Sequence, residues 1–390
     1  MHCNHMRVLV ISDIKTHPIN LGSSKFIMEY CDLLRSLGHE VFFLYVVRYT
    51  TRNDIKRRIE NERTETRKAW GDYYLEYKES IFSFIRRKLL WYYRLLFCKG
   101  YIHCDDKYYS GLGTYARNNV KIKSIDACLV NYFWLTKVFQ GMNIHKKGII
   151  THDTYSFYRQ RNPEVMMEFN MSPNEESKAL QRCDYVFAMQ DEEANYFSYL
   201  APQSNILKSY CSYKINIQPQ VNNHNLLFFS SEWQPNIIGL KWFVNDIFPH
   251  VIERFPDCKL IVGGSICVEL EWLNGHSNIE LLGYVEDPAD FYQMGDVVIN
   301  PTYSGAGLKI KTFEALSFGK VVISHPHSLN GIYCKEKAPI LASDNYEDWV
   351  RYIEKCWNDT STIEKYKNAD KIYIQRMNQY IVTQYQLFMS

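Results

Sequence analysis

The sequence predicts an α/β protein built from two doubly wound parallel sheets, and three observations lead to this fold class. Short apolar runs alternate with helical patterns over residues 7–46, and the alternation returns at 126–200. A second series of the same kind starts at residue 226, after a polar stretch at 213–225. The chain has 390 residues, which is enough for two domains. We therefore expect a ligand cleft between two such domains, at the carboxyl ends of the strands.

The individual elements follow from short apolar runs bounded by turn residues. In the first series the strands are predicted at 7–12, 40–46, 126–131, 148–153 and 184–189, with helices at 26–37 and 191–200. In the second series the strands are predicted at 226–230, 259–264, 279–283, 296–301 and 320–324, with a helix from about 237 and a helical C-terminal stretch. The predicted domain limits are 1–212 and 213–370, followed by a C-terminal helix at 371–390.

A basic stretch at residues 50–118 interrupts the alternation and looks like an insertion of amphipathic helices. Residues 52–99 contain 13 Lys and Arg against 7 Asp and Glu. Within 81–96, apolar residues recur near helical spacing, with cations between them: Ile81, Ile85, Leu89, Tyr92 and Leu96, with Arg86, Arg87, Lys88 and Arg94. Two interpretations stay open for this helix. It makes peripheral contact with an anionic membrane, or it packs on the first domain with its cations in water.

Composition narrows the class of protein. A formal net charge of +2 argues against a nucleic-acid binder. The eleven cysteines are odd in number and form no Cys-x-x-Cys pair, so free thiols in a reducing cytoplasm are expected, without disulfides or a zinc site. The N-terminal residues lack the apolar region of a signal peptide, and no run approaches the ~18 apolar residues of a membrane span. These features predict a cytoplasmic location.

A glycine- and lysine-rich segment follows the predicted strand at 296–301 and leads into a helix. Gly305 and Gly307 let the backbone approach a ligand closely. The helix N-terminus offers free N–H groups, which suit a phosphate, and Lys309 and Lys311 add positive charge. The pattern therefore indicates a phosphate-binding loop.

Glu314 lies three residues after Lys311, within the first turns of the same helix. A carboxylate at this place can hold a ribose diol. The two features together favour a site for a nucleotide. The alternative is a glycine-rich helix start with solvated lysines, because such loops are common.

The segment resembles the C-terminal signature of glycosyltransferase family 4, a family of retaining enzymes with the GT-B fold. It is closest to the form Gly-x-Gly-x-[Arg/Lys]-x-Lys-x-x-Glu-Ala. Further blocks resemble the family in the family's order, at 230–236, 242–249, 260–264, 282–287 and 296–301. The resemblance covers about residues 226–345 and extends more weakly over 7–46 and 126–200.

This resemblance implies two Rossmann-like domains that face a central cleft. The first binds the acceptor, the second binds a nucleotide-diphosphate sugar, and the helix at 371–390 returns to the first domain. The implied activity is that of a hexosyltransferase, which moves a sugar to a glycan or lipid-linked acceptor with retention of configuration, in bacterial surface polysaccharide synthesis. Membrane contact through 81–96, at the inner face, would suit a lipid-linked acceptor. No cofactor or metal is implied, and the sequence has no Asp-x-Asp motif.

The site residues carry over position by position. Glu314 is implied to bind the ribose, with Lys309 and Lys311 near the diphosphate. The other implied donor contacts are Ser231, Asn236, Gly283, Tyr284, Val285, Ser304, Gly305, Ala306, Gly307 and Leu308. Within this set, residues 283–285 form the loop under the base, and 305–307 offer N–H groups to sugar or phosphate.

His152 lies at the end of the predicted strand 148–153. A lone histidine there is more simply satisfied by a loop carbonyl, but the resemblance implies that His152 lies beside the donor sugar. His152, Lys309 and Glu314 are thus the expected catalytic residues. Asp153 orients the histidine or caps the next segment, and Arg159 and Arg161 meet an anionic acceptor or lie on solvated surface.

Three places depart from the family pattern. Ser304 stands where many members have a glutamate, in a loop two residues longer. No cation precedes Lys241 in the first loop of the second domain. In the first turn of the chain Gly22 is the single glycine of a loop that is glycine-rich in the family, and Ser23 or Ser24 can instead serve as a helix N-cap.

Other functions stay open beside transfer. The sequence lacks Gly-x-Ser-x-Gly, Walker and His-Glu-x-x-His motifs, and its first turn lacks the Gly-x-Gly-x-x-Gly of dinucleotide dehydrogenases. A nucleotide-sugar epimerase of the same fold and a non-catalytic nucleotide-sugar-binding module are the remaining alternatives.

Overall fold

The chain forms two compact units in a computed structural model that describes residues 5–19, 22–156, 170–305 and 310–390. The N-terminal unit comprises residues 1–211 with 381–390, and the C-terminal unit comprises residues 212–380. Each unit is built around a parallel sheet of its own.

The N-terminal unit contains a seven-stranded parallel sheet in the order β3-β2-β1-β5-β6-β8-β9. Its strands are β1 (Arg7–Ser12), β2 (Glu40–Val47), β3 (Tyr74–Lys78), β5 (Ala127–Asn131), β6 (Lys146–Ile150), β8 (Tyr185–Ala188) and β9 (Asn205–Lys208), and a separate short pair is formed by β4 (Tyr101–Ile102) and β7 (Asn170–Met171). Its described helices are α1 (Gly22–Ser36), α2 (Asn53–Trp70), α3 (Ile81–Phe97), α4 (Leu112–Lys123), α5 (Pro173–Leu180) and α6 (Asp191–Leu200).

The apolar runs of the sequence become the centre of this sheet. Residues 8–11 of β1 are completely buried, as expected for a strand that helices cover on both faces. In α1 the buried apolar residues fall at helical spacing, at Phe26, Ile27, Tyr30, Cys31 and Leu34. The strand order turns back at β1, between β2 on one side and β5 on the other, and ligands of such sheets bind at this switch point.

The prediction that residues 50–118 are an insertion of helices was wrong for the first half of this stretch. Helix α2 connects β2 to β3, and β3 pairs with β2 in parallel, so the doubly wound pattern continues. The reason lies in the sequence of β3, Tyr-Leu-Glu-Tyr-Lys, in which no residue is fully buried. A half-exposed edge strand does not show the apolar run that marks a central strand.

The C-terminal unit contains a six-stranded parallel sheet in the order β12-β11-β10-β13-β14-β15. Its strands are β10 (Asn225–Phe229), β11 (Lys259–Gly263), β12 (Ile279–Gly283), β13 (Val297–Asn300), β14 (Val321–Ser324) and β15 (Ile340–Ala342). Its described helices are α7 (Gln234–Trp242), which a π-helical turn joins to α8 (Phe248–Arg254), then α9 (Pro288–Tyr292), α10 (Ile310–Ser317) and α11 (Tyr346–Asn358). Here the order turns back between β10 and β13.

A last helix, α12 (Thr360–Met389), starts in the C-terminal unit, and its final residues belong to the N-terminal unit. There Tyr385 stacks on Phe187 with ring centroids 4.9 Å apart, and Phe388 meets the same ring edge-on. The described cysteines are free thiols, most of them buried. Among the described residues, no helix combines the length and the apolar character needed to cross a membrane.

Candidate functional site

Lys311 marks the switch point of the C-terminal sheet. Ser230 directly follows β10, Thr302 lies two residues beyond the end of β13, and Lys311 on α10 reaches both loops. Its ammonium donates to Ser230 Oγ at 3.2 Å, to Thr302 Oγ1 at 3.0 Å and to Asn236 Oδ1 at 2.7 Å. A predicted diphosphate contact therefore lies where ligands of this fold bind.

Ser230, Thr302 and Asn236 each offer a neutral oxygen to the Lys311 ammonium. The ring of Phe228 lies 4.8 Å from the nitrogen and adds a cation–π contact. These contacts hold the ammonium at the switch point of the sheet. Ser230 and Thr302 were not predicted as site residues, although hydroxyl residues at the ends of two switch-point strands are a signal that could have found them.

Asn236 and Ser231, both predicted donor contacts, lie next to each other beside Lys311. The amide nitrogen of Asn236 donates to the Ser231 carbonyl at 3.1 Å and lies 3.4 Å from its hydroxyl, which leaves the amide oxygen for Lys311. Gly239 makes this arrangement possible, since a Cβ there would lie 2.7 Å from the Pro301 carbonyl oxygen. Helix α7 can thus approach the loop after β13 closely enough for Asn236 to reach Lys311. We call Ser230, Asn236, Thr302 and Lys311 the Lys311 cluster.

Glu314 lies one turn after Lys311 and is half-buried. The hydroxyl of Tyr292 donates to its Oε2 at 3.4 Å. Burial, together with the nearby Glu314 carboxylate, raises the pKa of Tyr292 well above its ordinary value, so this donor stays protonated. Tyr292 also stacks on Phe318 at 4.6 Å and is therefore fixed in place. Tyr292 therefore helps to orient the Glu314 carboxylate.

Gly305 lies against the start of α7. Its φ of +85° is a left-handed conformation that favours glycine, and a Cβ there would lie 2.5 Å from the Trp233 ring and 2.8 Å from Pro235. Its carbonyl accepts a hydrogen bond from His327 Nε2 at 3.0 Å. Ser304, which precedes it, is half-buried. Gly305, at the start of the predicted phosphate-binding loop, therefore lies next to Trp233 and Pro235, which precede Asn236 in the sequence.

The predicted base loop lies at the same edge of the sheet. Gly283 ends β12 with a φ of +72°, and its carbonyl accepts from the Gly264 N–H at 2.7 Å. Gly264 in turn packs on the Ser230 backbone, where a Cβ would overlap the carbonyl oxygen. Tyr284 is 85% exposed and Val285 is half-buried. The structure therefore connects this loop to the Lys311 cluster through Ser230.

Several predicted residues lie outside the part of the chain that the structure describes. They are the donor contacts Ala306, Gly307 and Leu308, the lysine Lys309, and the acceptor candidates Arg159 and Arg161.

In the N-terminal unit, His152 lies beyond the end of β6 and is bonded to Asn131 at the end of β5. The ring Nε2 is 2.8 Å from Asn131 Oδ1. The Asn131 amide nitrogen donates to the Tyr30 hydroxyl at 2.8 Å and to the Ile11 carbonyl at 3.4 Å, so its oxygen faces the histidine as an acceptor. His152 Nε2 must then carry the proton, which leaves Nδ1 as a hydrogen-bond acceptor.

His152 is neutral at physiological pH. Burial lowers its pKa to about 3. Its ring stacks on Tyr132 at 4.3 Å and meets the edge of Phe26 at 5.8 Å. The predicted loop residue Gly22 starts α1, one turn before Phe26, and Ser24 is inside that helix with its hydroxyl donating to a loop carbonyl at 2.8 Å. A neutral imidazole suits hydrogen bonding to a hydroxyl group.

Tyr132, next to His152, has a strained backbone. Its φ of 71° and ψ of 151° lie in a region that is almost confined to glycine and costs about 1–3 kcal/mol for other residues. The side chain stacks on Trp134 at 4.6 Å on one side and on His152 on the other. Strain of this kind concentrates at functional sites. Sequence reasoning missed Tyr132, because no residue pattern reports such a conformation.

Asp13, just beyond β1, lies at the switch point of the N-terminal sheet. One carboxylate oxygen accepts from the Tyr109 hydroxyl at 2.7 Å and from the Trp134 indole at 3.1 Å. A cavity of about 290 Å³ opens beside it, and Arg48 and Arg58 are among its lining residues. Carboxylate, guanidinium and aromatic groups thus line one cavity, which sequence reasoning missed.

The chain is similar to known proteins in sequence and in fold. Residues 223–359 match the model of the family described as Glycosyl transferases group 1. An uncharacterized 44.6 kDa protein in the cps region of Klebsiella pneumoniae is 31% identical over 114 residues, which span 27% of this chain and 29% of that protein. The crystal structure of TarM, from S. aureus, superposes with a TM-score of 0.65 at 12% identity and 99% coverage of both chains. The pneumococcal O-GlcNAc transferase GtfA, in complex with UDP and GlcNAc, gives 0.63 at 10% identity, again with 99% coverage of both.

The two kinds of match concern different parts of the chain. The structural matches show the fold over nearly the whole length, whereas the family model covers the unit that carries the Lys311 cluster. Residues 223–359 therefore match the model of the glycosyl transferases group 1 family, within a chain that has the GT-B fold.

Proposed function

We propose that the protein is a glycosyltransferase that moves a hexosyl unit from a nucleotide-diphosphate sugar to a saccharide acceptor with retention of configuration. The observation that carries the proposal is the Lys311 ammonium at the switch point of the C-terminal sheet, one turn before Glu314. The match of residues 223–359 to the group 1 family supports it. Further support comes from GtfA, a protein of similar fold that binds UDP and GlcNAc.

Stabilisation of the leaving group is the main contribution of the C-terminal unit in this proposal. As the bond from the anomeric carbon to the diphosphate breaks, its electron pair stays on the diphosphate, whose negative charge increases. Lys311, assisted by Lys309, stabilises that charge. Glu314 holds the ribose diol and Tyr292 orients it, while the loop at 283–285 lies under the base.

The acceptor oxygen forms the new bond on the face that the diphosphate leaves, and its proton passes to a diphosphate oxygen. No side chain needs to act as a nucleophile. His152 contributes as a neutral imidazole whose Nδ1 accepts a hydrogen bond from a sugar hydroxyl. The acceptor saccharide occupies the cavity beside Asp13. Closure of the site would exclude water and so limit hydrolysis of the donor.

The proposed setting is bacterial surface polysaccharide synthesis, with a glycan or a lipid-linked saccharide as the acceptor. The similarity to a protein from a cps region supports this setting. The reaction would take place in the cytoplasm, at the inner face of the membrane when the acceptor carries a lipid.

The charge of the leaving group is balanced by lysines, and no metal ion takes part.

A thermal-shift screen over UDP-, GDP-, dTDP- and CMP-linked sugars tests the proposal. One donor is expected to stabilise the protein by about 2.7 kcal/mol at a hundred times its Kd. Glu314→Ala and Lys311→Ala should remove that shift. Nucleotide release with the same donor should depend on an added saccharide acceptor. Absence of a shift with every donor would refute the proposal, and conversion of the donor without an acceptor would identify an epimerase.

A further inference from the structure

The arginines of α3 point into the N-terminal unit. Arg87 forms two bonds of 2.6 Å with Glu79, whose side chain is completely buried. Arg94 donates to Asp106 at 2.8 Å, and Arg86 donates to two backbone carbonyls of the loop after β4, at 3.0 and 3.2 Å. Both interpretations of this helix from sequence placed the cations outward, toward lipid or water, and both were wrong for the three arginines.

Because the arginines occupy the inner face, the outer face of α3 is apolar. The exposed large side chains are Ile81, Phe82, Ile85, Leu89, Tyr92, Tyr93, Leu95, Leu96 and Phe97, of which Phe82 is 85% exposed and Phe97 73%. At helical spacing they cover about half of the helix circumference. We call this set the α3 apolar face. Exposed apolar patches of such extent mark interaction surfaces in proteins.

Two lysines accompany the α3 apolar face, and the helix itself contains no carboxylate. Lys88 and Lys99 are exposed, and residues 81–100 contain no Asp or Glu. Tyr92 and Tyr93, each about half exposed, add aromatic rings with a polar end. Apolar side chains, tyrosines and lysines together are what a helix needs to lie in the boundary between lipid headgroups and acyl chains.

We propose that the α3 apolar face docks on the surface of an anionic lipid bilayer. The apolar side chains enter the boundary region, and Lys88 and Lys99 pair with lipid phosphates. The helix lies along the surface, since its 17 residues include four cations and its inner face is bonded to the rest of the unit. Docking would give the protein access to a lipid-linked acceptor, and this use of it rests on the proposed function. Lipid binding itself does not depend on that function.

A second copy of the chain fits this face less well than lipid. In a two-fold contact the same patch faces itself, so Lys88 and Lys99 would meet each other's copies. The helix provides no carboxylate to pair with them. The apolar face is also wider than the narrow seam along which two helices pair as a coiled coil. Charge and width therefore both favour lipid.

Flotation with lipid vesicles tests the proposal. The full chain is expected to float with vesicles of phosphatidylcholine and phosphatidylglycerol, and more weakly with phosphatidylcholine alone. The triple variant Phe82→Ser, Leu89→Ser, Leu96→Ser should lower the partition coefficient about tenfold or more. The matched control is Ile122→Ser with Tyr199→Ser, which removes two exposed apolar side chains elsewhere in the unit and should float like the parent.

A second variant and a measurement of molecular mass by light scattering distinguish lipid docking from self-association. Lys88→Glu with Lys99→Glu should reduce flotation with the anionic vesicles and leave it unchanged with the neutral ones. Equal flotation of the triple variant and the parent, or of the parent with both vesicle types, would overturn the assignment. A dimer in light scattering that the triple variant makes monomeric, without vesicle binding, would identify a second copy instead. Transfer to a water-soluble acceptor should persist in the triple variant, so failure of docking and failure of the proposed function are distinguishable.

Discussion

At the residue scale, Lys311 combines a charge with three hydrogen bonds to neutral oxygens. Lys311→Met keeps the length of the side chain and removes both. We expect the Kd for UDP to rise roughly 10- to 100-fold, which corresponds to about 1.4–2.8 kcal/mol. Isothermal titration calorimetry measures this change. Lys259→Met is the control, because Lys259 lies at the start of β11, 3.9 Å from Glu280, at the opposite edge of the sheet. Equal affinities for the two variants would contradict the site.

His152 makes stability depend on pH with a definite sign. Its pKa is lowered to about 3 in the folded protein, from an ordinary value of 6.5. Between these values the unfolded chain binds a proton that the folded chain does not, so the free energy of unfolding falls as the pH falls from 6.5 toward 3. His152→Asn removes this contribution, and asparagine tolerates the φ of 64° at this position.

Urea unfolding of both proteins at neutral and at mildly acidic pH measures the effect. We expect the parent to lose more stability on acidification than His152→Asn does. The other histidines are present in both proteins, so their contributions cancel in the comparison. Equal losses would show that His152 is not held neutral by the fold.

Tyr132 offers a test of backbone strain that is separate from its ring contacts. Tyr132→Ala and Tyr132→Gly both remove the stacking on Trp134 and His152. Only glycine adopts the φ of 71° and ψ of 151° without strain, so the glycine variant should be the more stable by about 1–3 kcal/mol. At an ordinary backbone position alanine would be the better residue. Chemical denaturation of the two variants decides the sign.

What the sequence could predict at this scale was the chemical type of a residue and its place in the chain. Lys311 and Glu314 were identified because both belong to one continuous segment. The acceptors of Lys311 come from residues 230, 236 and 302, and only the sheet order brings these loops together. The same is true of Asn131. It is 21 residues from His152 along the chain, but the pairing of β5 with β6 brings the two side chains within hydrogen-bonding distance.

At the scale of elements, the approach of α7 to the loop after β13 depends on Gly239. A Cβ at this position would lie 2.7 Å from the Pro301 carbonyl oxygen and 2.8 Å from Thr302 Cα, which are backbone atoms that cannot move aside easily. In an unhindered helix, glycine to alanine stabilises by up to about 1 kcal/mol. We expect Gly239→Ala to destabilise instead and to weaken UDP binding, because α7 carries Asn236. A gain in thermal stability with unchanged UDP affinity would show that the approach is not needed.

Helix α3 shows why an element can be predicted while its orientation is not. Its periodicity predicted a helix at 81–96, and the structure contains one at Ile81–Phe97. Its arginines pair with Glu79 and Asp106, carboxylates before and after the helix, so which face is inside depends on residues that the helical pattern does not contain. Strand β3 presents the opposite case. Its half-exposed residues do not show the apolar run of a central strand. Backbone pairing with the neighbouring β2 nevertheless stabilises them as a strand.

At the scale of the whole molecule, both sheets place their candidate functional residues at the point where the strand order turns back. In the N-terminal sheet this point lies between β1 and β5, where Asp13 follows β1 and Asn131 ends β5. In the C-terminal sheet it lies between β10 and β13, where Ser230 and Thr302 follow the strands. The alternation of apolar runs predicted both sheets because buried parallel strands need such runs. The position of each site then followed from topology.

The origin of the positive charge at the C-terminal site leads to a prediction for the complete protein. If lysine side chains balance the charge on the leaving diphosphate, chelation of divalent ions by EDTA should leave the transfer rate within about twofold of its untreated value. Addition of Mg²⁺ should then not restore the activity of Lys311→Met, because the charge is needed where Ser230, Asn236 and Thr302 hold the ammonium. Initial rates of UDP release with each combination of EDTA, Mg²⁺ and variant measure both effects. Loss of the parent's activity in EDTA with recovery in Mg²⁺ would mean that a metal ion supplies the charge assigned to the lysines.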